Sequence, residues 1–235
     1  MSRTMTSRSI VEPAEGKEPF NIDEVFRRLR QAVEPHAKAA MFDLRDRGFS
    51  SPFEQLVGSL ISARTRDETT LAVCLRLFVV ARTAEAMAKL SEFDLVGLLR
   101  GASFPEPKAR DILAFSRTIS EDLNGVVPDT IEGLTEFRGV GPKIAALTLA
   151  VGFGKPAIAV DIHVHRITNR WGYIHAPTPE KTDVALAEIL PEGYWIEINE
   201  RLVPFGKWVC VANRPKCSMC PLLSMCHQVG VTDGR

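Results

Sequence analysis

Leu134-Thr-Glu-Phe-Arg-Gly-Val-Gly-Pro-Lys-Ile-Ala-Ala-Leu147 is the stretch on which the reading of the chain turns. A short helix ends in it, Gly139-Val140-Gly141 makes a tight turn, and Pro142 opens a new helix, as proline does at a first helical position. The two glycines permit backbone angles that other residues resist and let the backbone come close to a ligand. The N–H groups of the turn and of the following helix start then face whatever lies there, which suits an anion such as a phosphate. Short glycine motifs are weak, and on this turn alone a plain helix–helix connection is the better reading. Lys143 shifts the balance. The first turn of a helix favours an acidic residue, so a lysine there is slightly unfavourable. A nucleophilic lysine needs its free-amine fraction raised, by desolvation or by a positive field. A solvated surface lysine is the commoner alternative.

Outward from this stretch the pattern stays helical. Asn21 caps a helix that carries Ile22, Val25, Phe26, Leu29 and Val33 on one face. Ser51-Pro52 is an N-cap and first-turn pair. Phe53, Leu56, Val57, Leu60 and Ile61 behind it form the buried stripe of an amphipathic helix. Asp67 starts the next helix, with Leu71, Cys74, Leu75 and Phe78 inward, and Cys74 reads as a small core residue. Thr83 and Ser91 mark two more starts. Phe104-Pro105-Glu106-Pro107 interrupts with a loop. A longer helix with Ala109, Ile112, Leu113, Ser116, Ile119 and Leu123 then stops at Asn124-Gly125. Pro128-Asp129 opens a short helix, Thr178-Pro179 and Gly193 bracket another, and Tyr194 to Val203 begins the last long one. No alternating stretch of useful length occurs, so the fold class is all-α.

Composition sets the outer limits. The chain has 235 residues, 45% hydrophobic and 25% charged, with 29 Lys plus Arg against 29 Asp plus Glu. Zero net charge excludes a highly charged disordered chain and leaves any case for nucleic acid to local patches. No apolar run approaches ~18 residues, so no membrane partner is expected. Met1 to Glu18 has no apolar core of a signal peptide. Arg3 and Arg8 faintly suggest a transit peptide, but Glu12, Glu15 and Glu18 argue against one. A disordered tail over residues 1–20 is the expectation, with the protein monomeric in a reducing, cytoplasmic and nucleoid-associated setting.

Two further clusters carry chemistry. Asp161, in Ile158-Ala-Val-Asp-Ile-His-Val-His-Arg166, follows an apolar run and can cap the next helix, or face a substrate, and the two roles are compatible. His163 and His165 stand two residues apart and cannot share one helix face, so packing is the better reading for them than metal binding. Cys210, Cys217, Cys220 and Cys226 fall within 17 residues. Four thiolates so close can enclose one tetrahedral zinc or one iron–sulfur cubane, and spacing alone does not separate them. Arg214 and Lys216 between them read as a phosphate-binding loop or as compensation for an anionic cluster.

Taken together, Gly139-Val140-Gly141-Pro142-Lys143, Val160-Asp161-Ile162-His163 and the four cysteines closely resemble endonuclease III, the iron–sulfur branch of the helix-hairpin-helix DNA glycosylases. Leu60-Ile-Ser-Ala-Arg64-Thr-Arg-Asp67, Lys108-Ala109 and Asn124-Gly-Val-Val-Pro128 also sit where that family's pattern has them, and the resemblance spans roughly Asn21 to Val229. It implies a six-helix barrel with the hairpin over residues 46–159 and a second helical domain from residues 21–45 and 160–235, with double-stranded DNA bound in a groove between them. It decides the cysteines in favour of a [4Fe–4S] cluster. It also implies a bifunctional glycosylase and AP lyase acting on damaged bases or abasic sites. On this resemblance the chain would excise oxidised pyrimidines with Lys143 as Schiff-base nucleophile, Asp161 as its carboxylate, and the hairpin residues Gly139, Val140 and Gly141 on DNA.

The sequence departs from the pattern in two places. Arg64 stands where the family usually has a glutamine that fills the gap left by the extruded base, and Phe104 stands where a leucine wedge is common. Arginine can fill and stack but brings charge, and a phenyl ring can insert between bases. The alternative is a solvated Arg64 and a Phe104 packed on the barrel. A monofunctional adenine or mismatched-thymine glycosylase is disfavoured by Lys143. A non-catalytic DNA-binding relative is disfavoured by Lys143 and Asp161 together.

Overall fold

The computed structural model describes residues 15–235, and among them every regular element is a helix. In chain order these are α1 (Ile22–Val33), α2 (Ala40–Asp46), α3 (Pro52–Ser62), α4 (Asp67–Val80), α5 (Ala84–Ala88) and α6 (Glu92–Leu98). Then follow α7 (Pro105–Arg117), α8 (Ile131–Thr135), α9 (Pro142–Gly152), α10 (Ile162–Trp171), α11 (Pro179–Ile189) and α12 (Trp195–Trp208). The chain divides into a central unit, residues 39–159, and a terminal unit in which residues up to 38 join residues 160–235.

The central unit is built on α3 and α9. Both are buried along most of their length, as helices enclosed by neighbours are. Phe53 to Ile61 are buried without a break, and so are Ala145 to Val151. The sequence stripe on α3 therefore understates its burial, because Glu54, Gln55 and Ser59 are inside too. Glu54 is tolerated there because it closes a capping box with Ser51 and pairs with Arg82 at 2.6 Å. Gln55 donates to the Phe49 carbonyl at 2.6 Å.

The expected domain boundary at residue 45 moves to 38. Helix α2 packs on α3, α4 and α9, with Met41, Phe42 and Leu44 buried, so its apolar face belongs to the central core. The long helix ahead of Asn124 also differs. It is α-helical to Arg117 and then widens to a π-helical turn, Thr118–Asp122, before Asn124 and Gly125 turn it off with positive φ. The short helix after it is capped by Thr130, not by the Pro128-Asp129 pair.

In the terminal unit α1 and α10 pack on α12, and α11 packs on α10. Phe26 of α1 stacks on Tyr194 at 4.0 Å. The expected disordered tail is corrected over its last residues, while residues 1–14 lie outside the described ones. Phe20 is buried and stacks on Tyr173, with centroids 5.0 Å apart, beside Trp171. The Lys17 ammonium donates to the Leu223 carbonyl at 2.9 Å, and the Glu18 N–H to Ser224 O at 2.7 Å. The segment is ordered because a large aromatic and two hydrogen bonds tie it to residues about 150 to 200 positions away, which local sequence does not reveal.

Replacing Phe20 by Ala should cost about 3 kcal/mol, the usual range for a buried phenyl ring. Equilibrium urea unfolding measures it, and a loss under about 1 kcal/mol would mean that the segment is not anchored.

Candidate active site

The hairpin comes first because the central unit forces its shape. After α8 the backbone turns left-handed at Gly139, φ 84°, and Val140, buried, donates its N–H to the Phe137 carbonyl at 3.0 Å. A Cβ on Gly139 would stand 2.6 Å from Asp111 Oδ2 and 3.4 Å from Leu60. Gly139 is therefore glycine for two reasons, the left-handed backbone and the lack of room. Asp111 also pairs with Arg138 next door. Gly141 differs. Its φ is −93° and nothing lies within 4 Å of its would-be Cβ.

Gly141 is the N-cap of α9 and offers no side chain, so the N–H groups of the first turn have no side-chain cap. Pro142 takes the first helical position, where its missing N–H costs nothing. Lys143 follows, exposed, at the positive end of an otherwise apolar helix. No acidic residue occupies that first turn.

Asp161 lies in the terminal unit and is the N-cap of α10. Its Oδ1 accepts from the N–H groups of His163 at 2.9 Å and Val164 at 2.8 Å. The cap consumes Oδ1 and leaves the partly exposed carboxylate a second oxygen for chemistry. The histidines behave as packing residues. His163 Nδ1 lies 3.1 Å from the Arg166 guanidinium, and His165 Nδ1 lies 2.7 Å from Thr182 Oγ1.

The same helix fastens the cysteine loop. Arg166 donates to the Gly206 and Cys210 carbonyls at 3.1 and 3.0 Å. Burial lowers the pKa of that guanidinium, opposed by the attraction of Cys210 and Asp161. Arg170 reaches the Val211 and Ala212 carbonyls, each at 2.7 Å, and its Nη1 lies 3.5 Å from Cys210 Sγ. His227 and Val229 donate their backbone N–H groups to the carbonyls of Trp171 and Arg170. At the end of α10, Gly172 has φ 75°, and a Cβ there would meet His227 at 2.6 Å.

Cys210, Cys217, Cys220 and Cys226 line one pocket with Arg170, Trp171 and Phe205. Among the described residues no three His, Cys, Asp or Glu side chains are grouped so as to hold a metal ion directly. Burial raises the Cys220 thiol to about 12 and the Cys226 thiol to about 11, and the neighbouring sulfurs push the same way. Four thiolates gathered here need a cationic partner. The surroundings fit an anionic sulfur cage, since Gln228 N–H points at Cys226 Sγ at 3.4 Å and Arg170 at Cys210.

The other expected contact residues fall in distinct places. Arg64 and Phe104 are exposed, both with left-handed backbones, φ 57° and 56°. The Arg64 guanidinium stands 5.9 Å from the centre of the Phe104 ring, so Phe104 is not packed into the barrel. Arg214, φ 54°, is exposed but pairs with Asp233 at 2.9 Å. It points outward within that exposed ion pair. Lys216 lines the cysteine pocket. The sequence reading missed Lys108, whose buried ammonium donates to the Ile61 and Ala63 carbonyls. Its position four residues before Ile112, on the inward face of α7, was the available signal.

The chain is similar to known proteins in both sequence and fold. Residues 57–192 match the HhH-GPD superfamily base excision DNA repair protein family. Endonuclease III of Thermotoga maritima is 43% identical over 178 residues, 76% of this chain and 84% of that one. Endonuclease III of Escherichia coli K12 is 30% identical over 204 residues, 87% and 93% of the two chains. The solved structure of a trapped endonuclease III–DNA covalent intermediate superposes with a TM-score of 0.74 at 29% identity, covering 88% of this chain and 94% of that one.

The two hairpin glycines should respond differently to alanine. Gly139→Ala should lose about 2 kcal/mol or more from left-handed strain and the Asp111 contact. Gly141→Ala should change stability by less than about 0.5 kcal/mol. Urea unfolding of both variants checks this, and equal losses would contradict it.

Proposed function

The chain belongs to the endonuclease III family of HhH-GPD base excision repair proteins, which are bifunctional DNA glycosylases and AP lyases, and from that we propose that Lys143 is its attacking amine. The carrying observation is an exposed lysine at the uncapped, positive start of α9, directly behind the left-handed Gly139 turn.

The proposed substrate is duplex DNA containing an oxidised pyrimidine or an abasic site, handled by a monomer. The target nucleotide leaves the stack. Lys143 Nζ forms a bond to C1′ as the C1′–N glycosidic bond breaks, and the base departs with its bonding pair and takes up a proton. Loss of the amine proton and opening of the C1′–O4′ bond give the imine. The imine acidifies the C2′ proton, and its removal expels the 3′ phosphate by β-elimination. Water then releases the lysine. We assign Asp161 to electrostatic stabilisation of the positive charge that grows on the sugar. The N–H groups of Gly139, Val140 and Gly141 and the start of α9 are assigned to a backbone phosphate, which positions DNA without reading sequence.

We further propose that Cys210, Cys217, Cys220 and Cys226 hold a [4Fe–4S] cluster. Its contribution when bound is structural, since it supplies the cationic core that the gathered thiolates need. The chain's own residues do the rest. Arg166 and Arg170 tie the cysteine loop to α10, and α10 carries Asp161 at its start.

Two experiments test these assignments. Single-turnover excision of thymine glycol from a duplex should fall by roughly 10²–10⁴-fold in Asp161→Asn with the borohydride adduct still formed, whereas Lys143→Gln should form no adduct at all. Release of base by Lys143→Gln at the wild-type rate would rule out the assigned nucleophile. Wild-type protein should carry about four irons per chain, and Cys220→Ser should lose them together with the visible absorption. One zinc per chain in their place would overturn the cluster.

A further inference from the structure

Lys108 is a lysine where a lysine is costly. It lies on α7 and is only 6% exposed. Its Nζ donates to the carbonyl of Ile61 at 2.7 Å, the carbonyl of Ala63 at 2.7 Å and Thr65 Oγ1 at 3.1 Å. Those acceptors belong to the end of α3 and the loop after it, where helix carbonyls run out of partners. Burial pulls the ammonium down to about 8, and the nearby Cys74 thiol, itself pushed up to about 12, opposes this only weakly.

The hydrogen bonds continue from that loop into a second one. Thr65 Oγ1 also accepts from the Ser103 N–H at 3.1 Å, and Ser103 Oγ donates to the Arg64 carbonyl at 2.8 Å. The two loops so joined each hold one residue in the left-handed region, Arg64 at φ 57° and Phe104 at φ 56°. Neither is a glycine, an asparagine or an aspartate, the residues that reach this region most readily. Both side chains are exposed and lie over one another. Two strained backbones and a buried cation in one knot need a purpose beyond closing a loop, since local strain persists where the surroundings over-determine it.

We propose that Lys108 is a positioning residue that locks the Arg64 and Phe104 loops together, so that both side chains enter the DNA duplex as one rigid pair beside the extruded nucleotide. This rests on the reading of the protein as a DNA glycosylase. Lys108 touches neither base nor sugar in this account. Its ammonium replaces the missing partners of the α3 carbonyls, and Thr65 and Ser103 carry the constraint to Phe104.

The test compares reactions that do and do not require the duplex to be opened. Lys108→Met keeps the stem and removes the charge. Ser103→Ala leaves the buried lysine alone and removes only a link between the loops. Three readouts are taken with each. The first is excision of thymine glycol from a duplex, the second is strand cleavage at an abasic site in a single-stranded oligonucleotide. The third is the brightening of 2-aminopurine placed beside a tetrahydrofuran abasic analogue in a duplex.

Lys108→Met should lose on the order of 10²-fold in duplex excision, the scale of an ångström-sized misplacement, with the 2-aminopurine signal gone. Ser103→Ala should lose about fivefold. Single-strand cleavage should stay within about threefold of wild type in both, because no partner strand has to be displaced. Equal losses on duplex and single strand would overturn the proposal, and so would unchanged 2-aminopurine brightening in both variants. If Lys108→Met does not fold, Ser103→Ala decides by the same criteria. Failure of wild-type protein to release thymine glycol or cleave abasic DNA would instead strike the glycosylase reading.

Discussion

Between α8 and α9 the backbone passes Asp111 of α7 so closely that a Cβ on Gly139 would stand 2.6 Å from its carboxylate. The chain can pass only as glycine and only with a left-handed turn. That turn sends α9 into the unit against α3, where both helices are buried on every side. Because α9 enters apolar and uncapped, its exposed end is the only part that can carry polar chemistry, and Lys143 stands there.

In the terminal unit α10 has the matching role. Its first residue is capped by Asp161, and its arginines hold the carbonyls around Cys210. A carboxylate that caps a helix has little rotational freedom, so Asp161 is fixed by the same bonds that start α10. The cysteine loop has little regular structure of its own, one 3₁₀ turn at Cys217–Met219. It is held by side chains of α10 and by the segment around Lys17. Burial keeps Cys220 and Cys226 protonated without a cation. A cluster would therefore add charge balance and cross-linking together, as bound metal does when it couples to folding.

Much of this was legible in the sequence because it is local. The caps at Asn21, Ser51, Thr83, Ser91 and Thr178 lie where the residue types place them, since a cap needs only a short polar side chain and the next three residues. The Gly-Val-Gly-Pro-Lys turn was legible for the same reason. Features that depend on distant partners were not. Phe20 was assigned to a tail because Trp171 and Tyr173 are far away in sequence. Helix α2 was assigned to the wrong unit because its apolar face does not say which core it joins. Lys108 passed as an ordinary member of a family pattern, since only the fold brings the Ile61 and Ala63 carbonyls to it. The Arg214–Asp233 pair was not visible either, since only the fold brings the two side chains together.

The account stands most directly on which atom bonds to DNA. Borohydride reduction of wild-type protein on thymine glycol duplex, followed by proteolysis and mass mapping of the cross-linked peptide, locates that atom without any substitution. The account predicts a single modified peptide with the sugar remnant on Lys143. A remnant on Lys108, on another lysine or on the chain's amino terminus would contradict it.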